Sequence, residues 1–271
     1  MKKRKSFPVY LAVILVIMYL PIMLVILYSF NDSKISSLWT GFTFSWYREL
    51  FMDRSMFSAL LNSVILALLA SSAAAIIGTL GASGMARARE TSRRRISGFA
   101  GRLQSQGGAL MEFLSILPIM TPEIIMGMVF LAFFSLLSLP FGMLTLVIAH
   151  TAFCVPYVYL LVRARLAGLD KSYVEAARIM GAGDMRAFYD ITLPLMLPAV
   201  ISGMLISFAM SFDDVIISVF VSGPSVNTLP MKIYSQLKVG VTPKVNAMCT
   251  LIFLFTVLLC FVSAALARRQ K

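Results

Sequence analysis

Six long apolar runs leave this chain one kind of solvent. They cover about residues 8–30, 57–82, 110–136, 142–162, 195–221 and 246–267. Each reaches the roughly 20 apolar residues that a helix needs to cross a hydrocarbon core. Inside a bilayer the backbone must satisfy its own N–H and C=O groups, so runs of this length are predicted to be helices. The composition agrees: 59% of the residues are hydrophobic and 13% are charged, against about 25% charged in an ordinary soluble domain. No Ser/Gly/Pro-rich linker divides the runs, and a single all-α membrane domain over residues 1–271 is expected.

Charge orients the runs. Cytoplasmic connections of membrane proteins hold the excess of Lys and Arg. With the N-terminus inside, the inner segments 1–7, 83–109, 163–194 and 268–271 hold 18 of the 24 basic residues. Both termini are therefore predicted to be cytoplasmic. The first run follows Lys2, Lys3, Arg4 and Lys5, as a signal peptide would. It is too long for a signal core and lacks a small-residue cleavage site, so an uncleaved span is expected. The net charge of +12 needs no nucleic acid, because topology and anionic headgroups account for it. Residues 86–108, with Arg93, Arg94 and Arg95, read as a flexible basic loop. Cys154, Cys249 and Cys260 all sit in apolar runs without metal or disulfide spacing, which reads as packing.

One polar segment, about 170–193, is too structured for a simple connection. Ser172-Tyr173-Val174-Glu175 has the S-x-x-E spacing of a capping box, which satisfies orphan N–H groups at a helix start. Tyr173, Ala176, Ala177 and Met180 recur at helical spacing, and small alanines would let a partner approach closely. Gly181 and Gly183 then end the helix, where a left-handed cap favours a residue without a β-carbon. Asp184 is placed to cap a second short helix, and Pro194 and Pro198 to open the next span.

Glu175-Ala176-Ala177, three residues, Gly181, nine residues, then Ile191-Thr192-Leu193-Pro194 resembles the EAA signature of permease subunits from bacterial ABC importers. The likeness extends over essentially the whole chain. It implies a six-span type I importer permease fold, with Glu175, Ala176, Ala177, Met180, Gly181, Ile191, Leu193 and Pro194 in a cytoplasmic coupling element. It also implies an ATP-hydrolysing partner gripping that element. The chain has no G-x4-G-K-[ST] sequence of its own. It is expected to be a non-catalytic subunit without a cofactor, ATP-Mg being bound by the partner.

Carboxylates in apolar runs are costly and are functional candidates by default. Glu123, Asp213 and Asp214 lie in or beside spans, and Glu112 near a cytoplasmic end. No basic residue accompanies them within the predicted runs, so a path they line favours cations over anions. Asp213 and Asp214 diverge by about 100° on a helix, so only one can face a central path fully. The other caps, pairs with Ser218 or Asn227, or meets a partner subunit. Pro118, Thr121, Pro122 and Gly127 predict a break or kink beside Glu123, where irregular backbone needs protein or a cavity around it. Tyr157 offers a ring face to an ammonium group. The lone His150 reads as packing, and Asn62 and Ser63 as interhelical hydrogen-bonding residues.

The stretch Ser211-Phe-Asp-Asp-Val-Ile-Ile-Ser-Val-Phe-Val-Ser-Gly-Pro, with Thr228-Leu-Pro-Met-Lys-Ile-Tyr and Val239-Gly-Val-Thr-Pro-Lys-Val-Asn246, is similar to PotC-type permeases of spermidine/putrescine importers. That likeness implies a polyamine cargo and a heterodimer with a second permease subunit. It further implies a homodimeric ATP-binding subunit and an extracytoplasmic polyamine-binding protein, all in a bacterial inner membrane. The rivals are an importer of the same kind for another small solute, such as iron, thiamine or an opine, and a stand-alone secondary transporter. The latter calls for an inverted repeat or a relay with basic members, neither of which is visible. No nucleophile–base pair or metal cluster supports an enzyme.

Overall fold

Helices long enough for lipid dominate the chain. The computed structural model describes residues 6–33, 38–95, 99–170, 172–240, 242–254 and 257. Among them the only extended pairing is one antiparallel bridge, Asn31 to Phe42. In chain order the helices are α1 Ser6–Tyr28, α2 Ser45–Met52, α3 Arg54–Arg95, α4 Phe99–Met120, α5 Glu123–Leu136, α6 Met143–Ala167, α7 Ser172–Ile179 and α8 Asp184–Ala187. A π turn at Phe188–Thr192 leads into α9 Leu193–Asp213, followed by α10 Ile216–Val221 and α11 Leu229–Val239. Pro243–Leu254 forms α12.

Four helices are long and apolar enough to cross a membrane, at Tyr10–Tyr28, Arg54–Ala88, Met143–Ala167 and Asp184–Asp213. A fifth crossing arises if Leu110–Met120 and Glu123–Leu136, bent by 108°, count as one. The predicted break beside Glu123 is therefore present. Its chemistry is local: Pro122 donates no hydrogen bond, and the Thr121 hydroxyl turns back to the Leu117 carbonyl at 2.9 Å. The predicted sixth span, 246–267, is helical from Pro243 to Leu254, and most of its remainder lies outside the described residues.

Three expectations fail. The run 195–221 is not one helix: it starts at Asp184, stops at Asp213 and resumes at Ile216. Residues 86–95 and 99–108, expected in a flexible loop, are helical, since α3 continues to Arg95 and α4 begins at Phe99. Extending an existing helix needs no new nucleus, so each added residue gains a backbone bond at low cost. The run 142–162 continues to Ala167, which brings Arg163 and Arg165 onto the same helix. Arg163 pairs there with Glu112 of α4.

The chain divides into two compact units, Met1–Ser58 with Lys232–Lys271, and Ala59–Met231. In the larger unit α6 is the central post. Ala149, Phe153, Cys154, Val158, Tyr159 and Val162 are buried on it, packed with Leu66, Ala74 and Ala82 of α3, Met196 of α9, and Ile217 and Val221 of α10. Glycines make the closest approaches. A Cβ on Gly78 of α3 would lie 2.8 Å from Val158 Cβ, and one on Gly203 of α9 would lie 3.0 Å from Val158 Cα. Small residues let membrane helices pack backbone to backbone in this way. Ser63 joins two helices as expected, accepting the N–H of Leu229 at the start of α11 at 2.8 Å, whereas Asn62 donates to the carbonyl of Asn227 just before that helix at 3.1 Å.

In the smaller unit, residues 29–33 and 38–53 are fastened by side chains. Trp46 Nε1 donates to the Asn31 carbonyl at 2.7 Å, and Ser29 Oγ lies 2.6 Å from the Tyr47 hydroxyl. Phe30, Phe42, Phe44 and Tyr47 stack against one another. Lys244 bridges Glu49 at 3.0 Å and Asp53 at 2.8 Å.

Candidate functional site

The segment 170–193 folds as two short helices around one tight turn. Gly181 adopts φ +87°, which costs an L-residue about 1–2 kcal/mol. The Gly181 N–H reaches the Arg178 carbonyl and the Ala182 N–H reaches the Ala177 carbonyl, both at 3.0 Å. These are the two bonds of a Schellman cap. A Cβ on Gly181 would meet nothing within 4 Å, so the requirement for glycine is conformational. Arg178 Nη2 then closes across the turn on Asp184 Oδ1 at 2.9 Å.

Several local expectations need correcting. Ser172 is already helical, and its N–H donates to Asp170 Oδ1 at 2.9 Å, so Asp170 rather than a Ser172–Glu175 box holds this start. Accepting that N–H keeps the Asp170 carboxyl below the ordinary range. Asp184 makes no cap, because Gly183 occupies that position and Arg178 takes the carboxylate. Ala177 faces inward and is buried, whereas Tyr173, Glu175, Ala176 and Met180 are exposed. The outward surface is apolar: Ile179 is 87% exposed and Met180 80%, with Tyr173, Met185 and Tyr189 also open to solvent.

Pro194 stands in the first turn of α9, as expected, but α9 does not start afresh there. The helix is continuous from Asp184 to Asp213, with the register slipped at the π turn, where the Leu193 N–H reaches the Phe188 carbonyl. Proline at 194 supplies no N–H, and a π turn is one way a helix absorbs such a gap. Ile191 and Leu193 are half-buried beside it. Arg87, on the unforeseen extension of α3, lies over the buried Phe188 ring at 4.9 Å from the centroid. The segment is thus supported from α3 and carried directly into α9.

The far end of that helix is the acidic break. Asp214 leaves the helix with φ −68° and ψ 131°. Its carboxylate turns forward to accept the Ile217 N–H at 3.2 Å and the Ser218 N–H at 2.8 Å, with the Ser218 hydroxyl at 2.9 Å. It caps α10, and a carboxylate at a helix N-terminus also meets the positive end of the helix dipole. Asp213 is exposed and Asp214 is buried, so the adjacent acids diverge as their spacing requires.

Glu123 occupies the first turn of α5 and is half-buried. Gly127 of α5 packs against Phe220 of α10. Glu123 lies within electrostatic reach of Asp213 and Asp214, and Tyr157 of α6 within reach of Glu123. Glu123 is thus within electrostatic reach of the other three predicted pathway residues, Tyr157, Asp213 and Asp214.

Sequence reasoning missed the residue that ties the break together. His150 is fully buried, with Nδ1 2.8 Å from Ser211 Oγ, Nε2 3.1 Å from Ser218 Oγ and Nε2 3.4 Å from Asp214 Oδ2. Its partners are 61 and 68 residues away, beyond any local motif. The paired serines and aspartate of 211–218 were the available signal.

The family model described as the inner membrane component of binding-protein-dependent transport systems matches residues 95–271. The putrescine transport system permease protein PotI of Escherichia coli (strain K12) is 39% identical over 241 residues, covering 87% of this chain and 81% of its own length. The spermidine/putrescine transport system permease protein PotC of Haemophilus influenzae is 35% identical over 262 residues, covering 97% and 96%. In fold, the chain is similar to one from a bacterial ABC transporter involved in import of the acidic polysaccharide alginate. The TM-score is 0.68 at 16% identity, with 99% of this chain and 98% of that one covered. A chain of the MetNI methionine ABC transporter gives 0.57 at 16% identity, covering 81% and 100%. With the six-run pattern, the coupling-type segment and these matches in agreement, this chain belongs to the family of inner membrane components of binding-protein-dependent transport systems.

Proposed function

We infer that this chain is one permease subunit of an ATP-driven importer that carries linear polyamine cations, spermidine or putrescine, into the cytoplasm. It works as a single permease domain with both termini cytoplasmic. It pairs with a second permease subunit and receives solute from an extracytoplasmic polyamine-binding protein. It binds no cofactor and hydrolyses nothing; a homodimeric ATP-binding subunit holds ATP-Mg and grips the 170–193 segment. The cargo reading draws on the named activities of the relatives and on the acids Glu123 and Asp213 at the helix breaks.

The observation that carries the mechanism is the unbroken helix Asp184–Asp213. One end lies in the segment with exposed Tyr173, Ile179, Met180 and Met185, and the other ends at Asp213, within electrostatic reach of Glu123. At about 1.5 Å per residue it is a lever some 45 Å long. Closure of the ATPase pair pushes on the Schellman-capped turn around Glu175, Ala176 and Gly181. The Phe188–Thr192 π turn passes that motion through Leu193 and Pro194 into α9, and rigid-body rocking changes which side the acids face. A unit charge about 4 Å from a carboxylate gains on the order of 4 kcal/mol at an effective dielectric of 20. Asp213 and Glu123, with the Tyr157 ring, therefore favour a passing ammonium group and oppose an anion.

The test is putrescine uptake by the complete transporter in proteoliposomes. D213N and E123Q are expected to lower uptake at equal assembly while ATP hydrolysis persists. Normal uptake in both variants would remove the acids from the pathway.

A further inference from the structure

His150 is a fully buried, hydrogen-bonding side chain for which the pathway reading has no use. It is the only histidine of the chain. Placing the ring proton on Nε2 satisfies every contact: Ser211 Oγ–H donates to Nδ1, and Nε2–H faces Ser218 Oγ and Asp214 Oδ2. The Ser218 hydroxyl then donates to Asp214 Oδ2. One ring on α6 thereby holds the end of α9 through Ser211 and the start of α10 through Ser218.

This arrangement resolves a competition at the break. A carboxylate near a cation path has two kinds of partner, the N-terminus of α10 and the passing charge. If Asp214 swung away, the Ile217 and Ser218 N–H groups would lose their acceptor in a buried setting, which is strongly unfavourable. His150 adds a further contact on the same carboxylate oxygen and fixes the chain direction on both sides of it. The neighbouring Asp213 is left pointing elsewhere, exposed.

We propose that His150 is a positioning residue of the translocation path: it pins Asp214 as the cap of α10 and so fixes the orientation in which Asp213 meets the solute. The proposal rests on the pathway reading above, and its test is separable from that reading. In the complete transporter, with Cys154, Cys249 and Cys260 replaced by serine, the D213C thiol reports orientation through its rate of modification by a cationic, water-soluble methanethiosulfonate. H150L is expected to slow that rate about tenfold. H150Q, which keeps one donor and one acceptor, is expected to recover most of it, and S218A added to H150L is expected to change it by less than about twofold, because both act through Asp214.

Basal ATP hydrolysis should stay within about twofold, since the 170–193 segment is untouched. Should H150L not assemble, S211A removes only the hydroxyl that fixes Nδ1 and is expected to slow modification about threefold, at the scale of one lost hydrogen bond. An unchanged rate in the assembled variants, or fully additive effects of H150L and S218A, overturns the proposal. Normal putrescine uptake by D213N would instead overturn the pathway reading, whatever the labelling rates show.

Discussion

The two ends of the helix Asp184–Asp213 solve opposite problems. At the 184 end the side chains face outward: Ile179, Met180 and Met185 are exposed, and order comes from backbone geometry at Gly181 and from the exposed Arg178–Asp184 pair. At the 213 end the backbone itself is broken, and order comes from buried side chains, with Asp214, Ser211, Ser218 and His150 satisfying one another. A surface that must be gripped has to present apolar area while keeping its shape. A break within a membrane has to hide every freed backbone group. The same helix meets both demands because its two ends lie in different surroundings.

Gly181 offers the strongest way to break this contrast. G181P is incompatible with φ +87°, and proline outside its permitted φ costs about 3 kcal/mol or more locally. We expect transport to collapse while the protein still inserts and the ATPase turns over uncoupled. G181N, which tolerates the left-handed region, should retain most transport. E175K tests the same end by reversing an exposed charge, and it should uncouple without loss of thermal stability. Normal transport in both G181P and E175K would end the coupling role.

At the other end, D213N and D214N sharpen the division between the acids. D214N puts an amide N–H₂ where a carboxylate oxygen accepts from Ile217 or Ser218; it leaves a buried donor without its acceptor, at about 1–3 kcal/mol, and should lower the melting temperature. D213N should reduce putrescine flux without that loss. Equal melting-temperature effects would erase the distinction.

Smaller effects belong to the supports. R178A removes an exposed pair worth at most about 1 kcal/mol, and R87A a ring contact of about 0.5–1 kcal/mol. Both should show as modest losses of coupling efficiency in the ratio of solute moved to ATP hydrolysed. The smallest effect is expected in the other compact unit. The hydrogen bond from Lys244 holds the Asp53 carboxyl below its usual range. A depressed carboxylate contributes stability above its ordinary pKa of about 4, and that contribution fades as pH falls further. K244A should weaken this acid-side dependence in the thermal unfolding curve, the Ser55 and Met56 N–H groups still holding the carboxylate, and leave transport coupling unchanged.

How much of this was legible in the sequence differed by residue. Gly181 was readable because a left-handed cap is a local, single-residue requirement. The divergence of Asp213 and Asp214 was readable because helical geometry forces it, although only the structure shows which acid turns inward. The continuity of α8 into α9 was hidden. Pro194 and Pro198 suit the start of a helix, and the π turn that absorbs the missing N–H leaves no composition signal. Residues 86–108 read as loop from their Gly, Ser, Gln and Arg content, yet helix propagation from α3 carries residues 86–95 along. His150 was invisible as a hub because each contact spans more than 60 residues, so its role exists only once α6, α9 and α10 are packed.

The central claim is that the gripped segment and the acidic break move as one body. Spin labels at M185C and L205C, both exposed positions, lie 20 residues apart on the helix and should be separated by roughly 30 Å. Pulsed electron–electron double resonance on the complete transporter, nucleotide-free and trapped with ATP and vanadate, should give the same narrow distance in both states. A shift of more than about 4 Å, or a broad distribution in either state, would mean that the helix bends at the π turn and does not act as a lever.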